Sequence, residues 1–249
     1  MKTAACLLAL CFVACAARAS PVSYVPASGP PNVVGGERSG FWSEPADLNG
    51  LLASSEQILS FDLESEWAND FVLTDGHYVG VASWWGVYYN NPVPCYAGMT
   101  AQGFNLRFYE DAGCLPGATV ADLSITSFQE ESMGCEAQAY PIFKWTVYLS
   151  DIVTGDGVYW CGVQMKDHGF PPQFGRLASG GVVGCESVFK SAYFGYPDWT
   201  QATSVFGVAV DCSQEFDCMI CSGSSGVDEP TATRATEKAS WGRVKALYR

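Results

Sequence analysis

Apolar and polar residues alternate through the middle of the chain. In GFNLRFYE, Phe104, Leu106 and Phe108 share one face of an extended segment, while Asn105, Arg107 and Tyr109 share the other. FKWTVYLS sets Trp145, Val147 and Leu149 against Lys144, Thr146 and Tyr148, and VFGVAVD places Phe206, Val208 and Val210 in register. A period of two over short runs predicts half-buried antiparallel strands. The Asp-Gly steps in Thr74-Asp75-Gly76 and Gly155-Asp156-Gly157 tolerate positive φ and predict hairpins. Asp111-Ala112-Gly113 and Leu115-Pro116-Gly117 punctuate the chain after the 104–110 strand. Helical periodicity is absent before the tail. The expected fold is all-β: an antiparallel two-sheet β-sandwich, jelly-roll-like, over residues 56–221.

The flanks lack this pattern. Residues 1–19 combine Lys2, an apolar run from Leu7 to Ala16 and the small-residue sequence Ala17-Arg18-Ala19, which predicts a signal peptide cut before Ser20. The apolar run falls well short of the ~20 residues of a membrane span, so no transmembrane segment is expected. Residues 20–55, rich in Pro, Gly and Ser, read as an extended arm. Residues 222–239 read as a flexible linker. In 240–249, SWGRVKALYR, Ser240 is a good N-cap and Trp241, Val244, Leu247 and Tyr248 fall on one face of a short amphipathic helix. Such a helix is marginal alone and needs a surface to dock on.

Cysteines and charge narrow the compartment and the partners. Cleavage removes three of eleven cysteines and leaves Cys95, Cys114, Cys135, Cys161, Cys185, Cys212, Cys218 and Cys221. An even number in an exported chain predicts up to four disulfides. Cys95 with Cys114 is the expected pair, because they flank one strand. Cys218-x-x-Cys221 alone, with His77 and His168 as the available histidines, is a poor zinc signal. Loss of Lys2 and Arg18 takes the formal charge from −13 to −15; the tail from 230 onward is +4, which leaves −19 on the body. Such a body repels phosphate, so nucleic acid is excluded as a partner. No cofactor is expected. Calcium is the ion the acidic body would take.

The densest aromatic stretch is YVGVASWWGVYY. Alternation puts Val79, Val81, Ser83, Trp85 and Val87 on a presumptive core face, and Tyr78, Trp84 and Tyr88 on the other, separated by small residues. Rings exposed together on a sheet would suit a sugar face or a protein partner; covered by an arm or loop, they would be core. Tyr196 and Trp199 around the Pro197-Asp198 turn are further ligand-binding candidates, and GFPPQFGR offers Phe170, Phe174 and Arg176 on an expected loop.

Catalytic patterns are thin. There is no zinc-hydrolase histidine pair and no G-x-S-x-G elbow, and GSSG at 223–226 is linker. His77 and His168 read as exposed turn residues. Asp62, Glu64 and Glu66 alternate and would share a strand face as acid, base and nucleophile. They faintly resemble the active-site strand of jelly-roll β-glucanases, although that motif runs Glu, Asp, Glu. With Asp70 they are also the calcium candidates. No catalytic residue is assigned.

Asn69-Asp70-Phe71, Trp84-Trp85-Gly86, the run from Phe104 to Pro116-Gly117, and Gly157-Val158-Tyr159-Trp160 together resemble a recurrent module of bacterial exported proteins. Its members carry DDF, WWG and F-x-I-x-F-Y-x-D strands and occur with type IX secretion or PEP-CTERM-like tails. The resemblance spans about residues 60–210 and implies a sandwich fold without a catalytic set. SWGRVKALYR resembles short tails on exported bacterial proteins, which implies a sorting or docking element. The expected function is therefore a secreted or cell-surface, non-enzymatic β-sandwich in adhesion or binding, with carbohydrate first and a surface protein second. The alternatives are an inert structural envelope protein and a carboxylate-dependent glycosidase.

Overall fold

A computed structural model describes residues 22–24, 42–48, 50–74, 77–89, 101–135, 140–150, 152–153, 155–166 and 172–217 of the chain. Its central strands follow the alternation. In β8 (Gly103–Asp111), Phe104, Leu106 and Phe108 are fully buried. In β11 (Ile142–Tyr148), Phe143, Trp145 and Val147 point inward and Tyr148 is exposed. Two antiparallel sheets pack on these inward rows, so the protein is an all-β two-sheet sandwich.

Among the described residues one sheet has six strands: β15 (Tyr196–Gln201), β14 (Val188–Ser191), β6 (Glu66–Leu73), β12 (Gly157–Lys166), β8 and β9 (Pro116–Ile125), in that order. The other runs β1 (Val22–Tyr24), β3 (Leu52–Ser54), β13 (Gln173–Leu177), β7 (Val81–Tyr89), β11 and β10 (Gln129–Gly134). Strands β16 (Gln214–Asp217) and β2 (Trp42–Glu44) complete its eight. β13 and β16 lie end to end along one side of β7, paired with Gly86–Tyr89 and with 81–84 respectively. A small ladder of β4 (Gln57–Ile58) and β5 (Leu63–Glu64) encloses a 3₁₀ turn at Leu59–Phe61.

Several expectations change. Within the expected arm at 20–55, the described residues 22–24, 42–44 and 52–54 are strands β1, β2 and β3, all paired within the eight-stranded sheet. The chain passes from β6 to β7 and from β11 to β12 between sheets, so Gly155-Asp156-Gly157 serves a crossing rather than a hairpin; Asp75 and Gly76 lie outside the described residues. A hairpin forms at β8–β9, where Gly113 and Cys114 both take positive φ. VFGVAVD is not a strand: Ala202–Phe206 is a short helix, α1, ended by left-handed Gly207. Beneath it Phe206 packs edge-on against Trp67 and Phe189. GFPPQFGR is no exposed loop at its end, since Phe174 and Arg176 lie in β13 and are fully buried. Phe170 lies outside the described residues.

The aromatic stretch is inverted relative to expectation. Ala82, Trp84 and Tyr88 face the inter-sheet core, where Trp84 meets Phe104 at 4.9 Å and Tyr88 meets Phe143 at 5.4 Å. Trp85, Val87 and Tyr89 face outward and are covered by Ala46, Leu48, Leu52, Ile142 and Leu177. Both faces of this part of β7 are therefore dry, and alternation cannot choose between two apolar faces. Gly86 is required by packing: a Cβ there would lie 2.6 Å from both the Phe174 ring and the Gly175 carbonyl.

Cysteine pairing also differs. Cys114 bonds Cys185, not Cys95, and joins the β8–β9 turn to the loop before β14. Cys135 is disulfide-bonded as well, whereas Cys161 and Cys212 are buried free thiols. Burial raises the Cys161 thiol to about 12 against the neighbouring Arg176 charge, so it stays protonated and inert at neutral pH. Cys95, Cys218, Cys221, His168, the signal peptide, linker and tail lie outside the described residues.

Candidate functional site

The outer face of the eight-stranded sheet carries a polar row in register across five strands. Gln129 of β10 pairs with Thr146 of β11, Thr146 with Ser83 of β7, Ser83 with Glu215 of β16, and Glu215 with Ser43 of β2. Side chains that share a face at one register lie close enough to interact. Ser83 and Thr146 hydroxyls are 2.9 Å apart, and Ser43 Oγ donates to Glu215 Oε1 at 3.1 Å. Two residues away along β11, Lys144 Nζ binds Glu215 Oε2 at 2.8 Å and lies 4.6 Å from the Trp85 ring centre.

Two residues the other way, Tyr148 stands 59% exposed, opposite Val81 and near Asp217. These groups enclose a shallow groove of about 240 Å³ floored partly by Phe216. The ring stands at the lip, its hydroxyl 3.5 Å from Gln129 Oε1. Hydroxyls, a carboxamide and a fixed ammonium–carboxylate pair line the wall. The groove thus offers an apolar plate beside mixed donors and acceptors, the arrangement that fits a neutral polyhydroxylated ring.

The expected binding residues are elsewhere. Trp84 and Tyr88 are 1% exposed and form core, so they offer no stacking face; Tyr78 is half-buried in the β6–β7 crossing. Tyr196 packs edge-on against Phe189 inside the sandwich, while Trp199 sits on the opposite, outer side against Tyr109 and beneath Lys190. Three positions apart on one strand, they face opposite ways.

Trp199 belongs to the outer face of the six-stranded sheet, where charges alternate in register. Lys190 pairs with Glu66, Gly162 with Arg107, and Arg107 with Asp122. Glu66 reaches across Gly162: Arg107 Nη1 donates to its Oε2 at 2.6 Å and the Tyr109 hydroxyl to its Oε1 at 2.9 Å. A Cβ on Gly162 would overlap the Glu66 carboxylate. Burial raises the Glu66 carboxyl, opposed chiefly by Arg107 and Tyr109. The three acids of the expected carboxylate strand also part company. Asp62 is an exposed left-handed residue closing the 3₁₀ turn, Glu64 is exposed, and Glu66 is buried in its ion pair. His77 is half-buried rather than exposed. Among the described residues, no group of three or more His, Cys, Asp or Glu side chains is arranged to hold a metal ion, and no helix is long and apolar enough to cross a membrane.

Sequence reasoning missed the groove although part of its signal was visible. The alternation in FKWTVYLS places Lys144, Thr146 and Tyr148 on one polar face. The register that brings Ser83, Gln129, Glu215 and Asp217 beside them is long-range and leaves no local trace. Comparison with family models, curated proteins and solved structures returns no match.

Proposed function

We propose that the chain is a non-enzymatic binding module of the cell exterior whose groove at Tyr148 takes a carbohydrate. The observation that carries this reading is a half-bare aromatic ring at the lip of a polar groove, on a sheet whose β7, β11, β13 and β16 rings are otherwise buried. Stacking of a pyranose on Tyr148 would leave its hydroxyls to the Lys144–Glu215 pair, Gln129 and Asp217. The disulfides support an oxidising compartment, in line with the signal-peptide pattern and with the resemblance to exported bacterial modules.

The test is a glycan array probed with the wild-type chain and with Tyr148→Thr. Binding reduced at least tenfold by the substitution supports the groove. No binding to any glycan, or binding indifferent to Tyr148, rejects it. One observation favours the inert envelope protein as a second reading: the burial of Trp84 and Tyr88 removes the largest ring platform from the surface.

A further inference from the structure

Between the sheets, the inward row of β6 runs Trp67, Asn69, Phe71. Trp67 and Phe71 belong to separate apolar clusters, and Asn69 lies in a polar belt that divides them. The belt centres on Glu44 at the end of β2. Glu44 Oε2 accepts three donors: Asn69 Nδ2 at 2.6 Å, Trp42 Nε1 at 3.0 Å and Gln214 Nε2 at 3.1 Å. The other oxygen, Glu44 Oε1, has none. Its neighbour is the Asp211 carboxyl, whose Oδ2 is taken by the Val183 amide and whose Oδ1 is likewise without a donor.

The carboxamide oxygens of Asn69 and Gln214 are also unpartnered, on side chains that are 0% and 1% exposed. Four residues that meet at Glu44, two carboxylates and two carboxamides, thus each keep one buried oxygen without a donor. The Asp70 carboxylate adds negative charge from farther off. Buried oxygens of this kind are completed by a shared proton, an ordered water or a cation. A shared proton joins Glu44 to Asp211 but leaves both carboxamide oxygens without a donor. A water brings two protons to four acceptors, whereas a hard divalent cation would serve them together, and oxygen-only ligation with neutral amide groups is calcium chemistry.

We infer that Glu44, Asp211, Asn69 and Gln214 form a calcium site that ties β2 and β6 to β16 and to the segment between α1 and β16, whose Asp211 also accepts from Val183 in the loop before β14. The loop is independently held: its Cys185 carries the disulfide to Cys114, and its Cys185 amide donates to Asp70 Oδ2 at 3.1 Å. The site lies on the inner face of β2 and β16, opposite the groove, so its role is to lock the fold.

The experiment is calorimetric titration and thermal unfolding of the exported chain, disulfides formed, in calcium and in chelator. One calcium ion per chain is expected, with the midpoint of unfolding raised by about 3–6 °C at a tenfold excess over Kd. Asp211→Asn discriminates by sign. Asn keeps an acceptor for Val183 and supplies a donor to Glu44, so the variant should be more stable than wild type in chelator and less stable in calcium. Trp42 beside Glu44 gives a readout on the unaltered chain, as terbium emission sensitised by the indole and displaced by calcium. No binding heat with no calcium-dependent shift overturns the inference. So does a shift that survives in both Asp211→Asn and Glu44→Gln.

Discussion

The outer faces of the two sheets use similar residue types for opposite ends. On the six-stranded sheet, Glu66, Arg107, Tyr109 and Trp199 turn toward one another, and the Glu66 carboxylate fills the space Gly162 vacates. On the eight-stranded sheet, Lys144 and Glu215 pair at the groove wall, but Tyr148 is turned to solvent with no ring among the described residues against it. Polar groups that satisfy one another under cover hold the fold, because leaving any of them unpaired when buried is expensive. Polar groups that leave an aromatic face bare are arranged for something outside the molecule. Substitutions on the first face should therefore register in stability, and on the second in binding.

The largest expected effect is at the disulfide that borders the six-stranded face. Cys114 and Cys185 are 71 residues apart, and a loop of that length gives about 4 kcal/mol in the chain-entropy account. Cys114→Ser with Cys185→Ser should lower stability by that order in chemical denaturation. A loss below about 1 kcal/mol would mean that the loop before β14 is held by its hydrogen bonds alone.

Next comes Gly162→Ala. Its methyl group occupies the position of the Glu66 carboxylate, so either the strands shift or Glu66 leaves Arg107 and Tyr109. Overpacking of this kind costs about 1–3 kcal/mol, and an unpaired buried carboxylate adds to it. Denaturation of Gly162→Ala, Glu66→Ala and the double variant should show strong non-additivity, with the second change relieving part of the first. Additive costs would break the comparison, because Glu66 and Gly162 would then be independent.

The legibility of the molecule divides along the same line. Strands β8 and β11 were readable because each has one wet face, so Phe104, Leu106, Phe108, Trp145 and Val147 announce the inside by alternation. β7 was misread because its Trp84–Tyr88 row and its Trp85–Tyr89 row are both buried, and a period of two cannot say which of two apolar rows is innermost. Trp84 and Tyr88, expected on a ring platform, are core for this reason. The polar row through Ser83 and Glu215, the belt around Glu44 and the Cys114–Cys185 pairing all join residues far apart in the chain. Their local sequences, such as SQEFD, carry no mark of the partner. Lys144, Thr146 and Tyr148 were placed on the right face, but nothing local showed that a groove forms beside them.

The smallest expected effect sharpens the comparison most. Tyr148→Thr keeps a strand-favouring residue at the end of β11, and the side chain it removes is mostly in water. Its one polar contact, to Gln129 Oε1 at 3.5 Å, is at the outer limit of a hydrogen bond. Stability should therefore change by no more than about 0.5 kcal/mol, the range of surface substitutions free of packing or network effects. A ring that stabilises nothing in its own fold leaves the proposed external contact as its role. If the variant lost 2 kcal/mol or more, Tyr148 would be anchoring the β10–β11 edge, and the contrast between a face that serves the fold and a face that serves a ligand would collapse.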